Sequence, residues 1–359
     1  MKTLHLTNSW QPRSGGVATF YRAVLRAADH RGHQMRLIVP SETTHTEEVG
    51  RHCRIYHLRA PRAPFNSAYR ILYPHRYLLP GGDVLRILNH EQPDLVETCD
   101  KYTLLYLGGL LRVGAHPLVR FRPAIVGLSC ERMDDNMAAY LTGRPAALAF
   151  ARLYVRWVYL PLSDYHIAVS EHVAAELRGG SHGHKVARGV WVLPMGADTG
   201  IFTPKRRTTE ARERLLRRLG AGSDATILLY AGRLAPEKNL GLLAAAMERL
   251  QDRRLRLVIL GDGILRTELQ HRLDGRAHFL GHLESREELA DLYAQLRCVR
   301  ASQSSRTLRH RSAGGDGFRL AAGGAGFGGR DHVRALGQRL ADGSCPGSVR
   351  RRDRRSATR

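Results

Sequence analysis

Apolar positions along this chain fall into short runs separated by longer amphipathic stretches. The runs read as strands and the stretches as helices. Lys2 to Leu6 is a strand, followed by a helix from about Ala18 to Arg31 that Gly32 and His33 close. Met35 to Val39, Pro93 to Glu97, Ala124 to Leu128, Tyr165 to Val169 and Val190 to Met195 are further strands, with Ser170 and Glu171 capping the helix after Val169. Beyond Pro204 come a charged amphipathic helix from Lys205 to Leu219 and a strand from Thr226 to Ala231. A second amphipathic helix has apolar residues at Leu240, Leu242, Leu243, Ala246, Met247 and Leu250. Leu255 to Leu260 is a strand, Phe279 to His282 a short strand and turn, and Leu289 to Gln295 a helix. Runs this short and this apolar suit strands buried on both faces of a parallel sheet. Strand–helix alternation repeated twice predicts the α/β class in two domains.

Arg51 to Pro80 does not fit this pattern. It interleaves Tyr56, Phe65, Tyr69, Tyr73 and Tyr77 with Arg62, Arg70 and Arg76. An ordinary loop-and-helix segment and an acceptor-binding or membrane-facing insertion both account for it, since aromatic and basic residues together suit an interface.

Composition narrows the class. The chain has 359 residues, 43% of them hydrophobic and 25% charged, which are ordinary values for two globular domains. No apolar run is long enough to span a bilayer, and Met1 leads directly into a strand rather than a signal peptide. The five cysteines are widely spaced, with neither a metal framework nor a secreted disulfide pattern, so a cytoplasmic protein is expected. The net charge of +23 raises a nucleic-acid reading, but its distribution argues against one. From Leu296 onward there are 15 Arg and 4 Asp with no Lys or Glu, so about half the excess sits in a stretch with almost no aromatics to stack on bases. The milder basic balance elsewhere would attract anionic donors and anionic membranes.

The candidate chemistry gathers at Leu228 to Leu240. The strand ends at Gly232, where the backbone can turn sharply. Arg233 and Lys238 follow, and Asn239 opens the next helix. A helix N-terminus offers free N–H groups and the positive end of a dipole. Arg233 adds a fork of donors and Lys238 a point charge, and two cations at this spacing suit a diphosphate. Gly261-Asp-Gly263 forms a second glycine turn after a parallel strand, and Gly15-Gly16 lies between the first strand and its helix. Ligands of open α/β sheets bind at the carboxyl ends of strands. That rule adds Ser129, Glu131 and Asp134 as candidates.

The string Gly-Arg-Leu-x-Pro-Glu-Lys-Asn resembles the start of the donor half of retaining glycosyltransferases of family 4, the group 1 type with the GT-B fold. Gly-Gly-Val before the first helix, Ala-x-Ser-Glu near Glu171 and Pro194-Met-Gly-Ala-Asp198 resemble the same family. The resemblance implies two Rossmann-like domains facing across a cleft, with an acceptor-side domain over 1–203 and a donor domain over 204–295. It implies that Arg233 and Lys238 hold the donor diphosphate together with Gly15 and Gly16. Gly232, Glu237, Asn239, Gly261, Gly263, Ser129, Asp134, Gly196 and Asp198 would line the cleft. The family places a sugar-contacting His near Glu131; this chain has none there, and Glu131 takes that catalytic role by position. The implied reaction moves a sugar from a nucleotide diphosphate sugar to a glycan, lipid or small-molecule acceptor, with retention and without a metal or other cofactor. Implied partners are the donor, the acceptor and, peripherally, the inner face of an anionic membrane, but no nucleic acid. Nothing resembles a paired-carboxylate glycosidase or a Walker loop.

After Gln295 the pattern fails. Ile, Met, Asn, Tyr, Trp, Lys and Glu vanish, no period of 2 or 3.6 survives, and the composition is that of a disordered segment. The family has a helix here carrying two glutamates eight positions apart. Back-translating Leu296 to Phe318 and shifting by one base allows Cys-Asp-Ala-Phe-Val-His-Pro-Asn-Pro-Arg-Glu-Pro-Phe-Gly-Ile-Ala-Pro-Leu-Glu-Ala-Met-Ala. That string resembles the family segment, its glutamate codons straddling Arg306/Thr307 and Gly314/Gly315. The expectation is a frameshift, with 296–359 an off-frame tail and the chain as written a truncated, inactive remnant as the alternative reading.

Overall fold

The computed structural model describes residues 1–11, 16–64, 66–140, 145–180, 189–235, 238, 240–250, 254–283, 285–296 and 298–299. The chain divides into two compact units, Met1–Gly196 and Ala197–Arg359. Gly15, Glu237, Asn239 and the tail beyond Val299 lie outside the described residues.

The first unit is built on an eight-stranded sheet. In chain order its strands are β1 (Lys2–Thr7), β2 (Gln34–Ser41), β3 (His45–Val49) and β4 (Cys53–Arg59). A separate two-stranded ribbon, β5 (Arg62–Ala63) and β6 (Asn66–Arg70), follows, and β7 (Leu95–Cys99), β8 (Ala124–Ser129), β9 (Tyr165–Ala168) and β10 (Val190–Val192) complete the sheet. The spatial order is β10-β9-β8-β7-β1-β2-β4-β3, parallel throughout except for the β3–β4 pair. The order reverses at β1, which pairs with β2 on one side and β7 on the other, giving a topological switch point. Apolar clusters cover both faces. One joins Tyr21 and Leu25 of helix Gly16–His30 to Val173 and Leu177 of helix Glu171–Gly180. The other joins Val84 and Leu88 of helix Asp83–Glu91 to Leu107 and Leu111 of helix Leu105–Val113. Continuous apolar runs such as Leu37, Ile38 and Val39 are explained by this two-sided burial.

Arg51 to Pro80 is partly built into the main sheet. Its first half is β4, which pairs residue for residue with β2 from Met35↔Cys53 to Ser41↔Arg59. Tyr77 is fully buried in the core, and Tyr56 Oη donates to Glu91 Oε1 at 2.5 Å. Cys53, Ile55 and His57 supply the buried side of a period-2 pattern that the basic and aromatic residues between them obscured. Helix Leu105–Val113 also escaped the sequence pattern. It buries Leu105, Leu107, Gly108 and Leu111, more than one stripe of its surface, so no 3.6-residue alternation marks it.

The second unit holds β11 (Thr226–Ala231), β12 (Leu255–Leu260), β13 (Ala277–Gly281) and β14 (Cys298–Val299), in the order β13-β12-β11-β14 and all parallel. The sheet thus resumes three residues past Gln295, with Leu228↔Cys298 and Leu229↔Val299 in register. Helix Leu240–Arg249 packs Leu240, Ala244 and Met247 on one face of the sheet; Leu242, expected in that stripe, is exposed. The helix expected from Lys205 begins at Thr209. Thr208 Oγ1 accepts the Ala211 N–H at 3.2 Å and caps it, leaving Lys205 in a separate 3-10 turn. Ser285 caps helix Arg286–Gln295 in the same way, accepting the Glu288 N–H at 3.1 Å.

Candidate active site

In the second unit the loops leaving β11 and β12 run side by side. The Gly232 N–H donates to Leu260 O at 2.9 Å, the Leu234 N–H to Asp262 O at 2.9 Å, and the Leu265 N–H to Leu234 O at 3.1 Å. These bonds extend the β11–β12 pairing beyond the strand ends. The approach leaves no space for side chains. A Cβ on Gly261 would fall 2.0 Å from Gly232 O, and one on Gly263 would fall 2.3 Å from Leu234 O. Gly261 and Gly263 also adopt φ of +118° and +156°. The third parallel strand joins the same edge, because the Gly261 N–H donates to Gly281 O at 2.6 Å. Gly232, Gly261 and Gly263, inferred separately from the sequence, are therefore one construction at the carboxyl end of the sheet, where α/β folds bind ligands.

Arg233 lies in the first of these loops and is half-buried. Tyr230 Oη donates to Arg233 O at 2.8 Å and fixes the turn. Lys238, also half-buried, follows within one turn of backbone, its N–H donating to Ala235 O at 2.9 Å. Asp198 stands in a further loop of this unit. Its Oδ1 accepts the Ile201 N–H at 3.3 Å, and its Oδ2 lies 3.7 Å from Arg286 Nη1.

In the first unit Gly16 opens helix Gly16–His30, and a Cβ there would meet nothing within 4 Å. No steric reason on this side of the chain demands a glycine at that position. Gly196, at the end of this unit, has φ of +70°. The loop after β8 carries Ser129, Glu131 and Asp134. Ser129 is buried with its Oγ 2.8 Å from Tyr159 Oη, so its side chain belongs to the core. Glu131 is exposed. Asp134 takes a two-pronged ion pair from Arg132, with Nε to Oδ1 at 2.7 Å and Nη2 to Oδ2. Burial opposes ionisation of Asp134, but the hydrogen bond and charge of Arg132 outweigh it and hold the carboxyl below its ordinary value.

Sequence reasoning missed the pair that holds this loop. Lys101 is buried just after β7, where its Nζ donates to Glu131 O at 2.6 Å and to Glu176 Oε2 at 3.0 Å. Glu176 Oε1 accepts the N–H groups of Met133 and Asp134 at 2.8 and 3.1 Å, the first amides of helix Met133–Tyr140. A buried carboxylate at a helix N-terminus satisfies amides that otherwise lack partners. Lys101 also sits over the Tyr159 ring, 5.5 Å from its centroid. Nothing in the local sequence marks a lysine as buried, because most are exposed. The switch point carries a second missed cluster: Asn8 Nδ2 donates to Asp100 Oδ2 at 2.5 Å and to Thr103 Oγ1 at 2.8 Å, joining the ends of β1 and β7.

A family model described as Glycosyltransferase Family 4 matches residues 14–201, more than half the chain, and one described as glycosyl transferases group 1 matches residues 211–305. The chain belongs to glycosyltransferase family 4. It is 29% identical over 297 residues to a GDP-mannose-dependent alpha-(1-6)-phosphatidylinositol dimannoside mannosyltransferase of Mycobacterium tuberculosis, covering 82% of this chain and 71% of that protein. Its fold is similar to a glycosyltransferase from Rickettsia africae, with a TM-score of 0.62 at 15% identity over 95% of this chain and 87% of the other. It is also similar to sucrose-phosphate synthase from Thermosynechococcus elongatus, with a TM-score of 0.61 at 19% identity over 83% and 75% of the two chains. The fold class is GT-B, and the family and fold implied by Gly-Arg-Leu-x-Pro-Glu-Lys-Asn are those found. This family 4 chain is a nucleotide-sugar glycosyltransferase by descent. Among the described residues no helix is long and apolar enough to cross a membrane, and no group of three His, Cys, Asp or Glu could hold a metal ion.

Proposed function

We propose that this family 4 chain transfers a hexose from a nucleotide diphosphate sugar to a glycan or lipid-linked acceptor, with retention of configuration and without a metal ion. The observation that carries this reading is the fused glycine edge after β11 and β12, with Arg233 and Lys238 rising from it. Side-chain-free backbone lets a diphosphate approach closely, and two fixed cations neutralise the charge that develops on the leaving group. Retention is inferred from the resemblance to retaining enzymes, and independence from metal from the presence of two cationic residues, Arg233 and Lys238, in this loop. The mannosyltransferase relative makes GDP-mannose the first donor to assay and a phosphatidylinositol mannoside the first acceptor. In a frame-restored protein, Arg233→Ala or Lys238→Ala lowers turnover about 100-fold at saturating donor, and near wild-type turnover in both variants refutes the assignment. Activity of the frame-restored enzyme survives EDTA; activity lost to EDTA and restored by magnesium or manganese shows instead that a cation carries the diphosphate.

A second reading rests on the tail. With 15 Arg and no Glu from Leu296 onward, the chain lacks the pair of glutamates that the family resemblance calls for. We infer a one-base frameshift near Leu296 and an inactive remnant. Coding DNA that restores the two glutamates in the shifted frame supports this; DNA in which no shift yields them, or an ordinary enzyme rate from the unaltered chain, refutes it.

A further inference from the structure

Two thiols meet at the carboxyl ends of neighbouring strands. β7 ends at Cys99 and β8 at Ser129, one residue before Cys130, and the two strands pair in parallel from Leu95↔Ala124 to Thr98↔Gly127. The sulfurs of Cys99 and Cys130 lie 3.5 Å apart and share a hydrogen bond. Cys99 is 5% exposed, and its carbonyl accepts the Thr7 hydroxyl at 3.3 Å, which ties its backbone to β1. Cys130 is only half-buried. Cys53, in the same sheet, uses its thiol differently and donates to His33 O at 3.5 Å. Lys101 follows Cys99 by two residues, and its Nζ donates to the carbonyl of Glu131, the residue after Cys130. The thiol pair therefore spans the same two segments that this lysine joins. Two thiols alone make an incomplete zinc centre, since such sites take three or four protein ligands. Among the described residues no group of three His, Cys, Asp or Glu could hold a metal ion.

We propose that Cys99 and Cys130 form a redox modification site, oxidised by a small peroxide to a disulfide that staples the ends of β7 and β8. Cys130 reacts first, because it is the less buried of the two. The hydrogen bond from Cys99 and burial push the Cys130 thiol up, so the reaction is slow at neutral pH and faster in mild alkali, where more thiolate forms. The Cys130 thiolate attacks one peroxide oxygen. The O–O bond breaks, hydroxide leaves with the electron pair and takes up the thiol's proton as water, and Cys130 becomes a sulfenic acid. Cys99 Sγ then attacks the Cys130 sulfur. The S–S bond forms, the S–O bond breaks, and the oxygen leaves as water with the Cys99 proton. Two thiols and one peroxide thus give one disulfide and two waters, with two electrons passing from sulfur to oxygen. The sulfurs close from 3.5 Å to about 2.05 Å. That approach draws Cys130 towards β7 and stiffens the loop that carries Glu131 and Asp134, adding a covalent bond beside the Lys101 contact. The proposal does not depend on Arg233 or Lys238, and its test reads no turnover, so it and the proposed activity fail separately.

The test uses the full chain, treated while folded with hydrogen peroxide at about pH 8.5, near the ordinary thiol pKa, then alkylated in denaturant and digested with trypsin. Cleavage after Lys101 puts the two cysteines on separate peptides that only a disulfide joins. The expected product is a Cys99–Cys130 link within one chain, reversed by dithiothreitol, with Cys53 still open to alkylation. Hydrogen exchange of amides 131–136 slows at least about tenfold on oxidation and recovers on reduction. The recovery separates this effect from oxidation of the buried Met133, which dithiothreitol does not reverse. Cys99→Ala leaves Cys130 as a sulfenic acid that dimedone traps, and Cys130→Ala leaves Cys99 reduced. Absence of the linked peptide from the wild-type chain, a link only between chains, or a link formed only after denaturation overturns the proposal, whether or not either variant folds. So does exchange at 131–136 that is unchanged in the linked protein.

Discussion

The loop after β8 and the paired loops after β11 and β12 occupy equivalent places, each at the carboxyl edge of a parallel sheet, yet they are held by different means. The β8 loop is held by charge: Lys101 and Glu176, both buried, grip the backbone of Glu131, Met133 and Asp134. The β11 and β12 loops are held by backbone: Gly232, Leu234, Gly261 and Asp262 contact one another directly. A loop held by a buried ion pair tolerates exchange of the residues it displays, because its own side chains do not hold it. A loop held by backbone approach tolerates no side chain at its glycines, because the neighbouring loop's carbonyls fill that space.

Breaking the ion pair gives the largest effect. Lys101→Met leaves Glu176 buried and unpaired and destabilises the first unit by about 3–5 kcal/mol, read by urea denaturation. In the double variant Lys101→Met/Glu176→Gln most of that loss is recovered, because no uncompensated charge remains. A loss as large in the double variant as in the single assigns the effect to packing instead.

Acid separates the two units next. His166 is buried against Gly127, with Nε2–H donating to Leu160 O at 3.1 Å, and burial lowers its pKa from 6.5 to about 4. Between those values the unfolded chain holds a proton that the folded chain does not, so stability is fully present above pH 6.5 and falls as pH falls towards 4. The first unit loses up to about 3 kcal/mol across that window. In the second unit His278, also lowered by burial, is only partly enclosed, and the same acid costs that unit less. His166→Gln flattens the profile of the first unit; an unchanged slope in that variant removes His166 as its source.

Gly261→Ala forces a methyl group to within 2.0 Å of Gly232 O. The strain is about 1–3 kcal/mol and falls on the loop edge, so nucleotide binding by calorimetry weakens together with the thermal midpoint. Gly16→Ala, with open space around its Cβ, leaves stability within about 0.5 kcal/mol of the original. Comparable losses in the two variants would mean that backbone approach does not distinguish these sites. Leu242→Ser changes an exposed position and shifts stability by less than about 0.5 kcal/mol.

The parallel sheets, most strands outside β3 to β6 and the glycine turns after β11 and β12 were legible in the sequence. Leu228 to Leu240 announces itself because strand, turn and helix start are local, and local propensity and motif suffice to read them. β4 was hidden because Arg54 and Tyr56 filled the half-buried side of its alternation, and burial on that side is decided by neighbouring elements. Lys101 and Glu176 stand 75 residues apart and carry no local sign of each other. Only the approach of β7, β8 and helix Glu171–Gly180 turns two ordinary surface residue types into a buried pair. The same holds for Phe150, Leu153 and Trp157. Their spacing fixes a helix stripe, but Ala151, Val155 and Tyr159 form a second apolar stripe on the same helical segment, Pro145–Tyr154 with the π-turn Val155–Tyr159, and it was the packing of Val155 and Tyr159 in the core that decided which side was left outside. Periodicity along a chain determines which residues share a face; which face is enclosed depends on distant segments, and that is settled only when they pack.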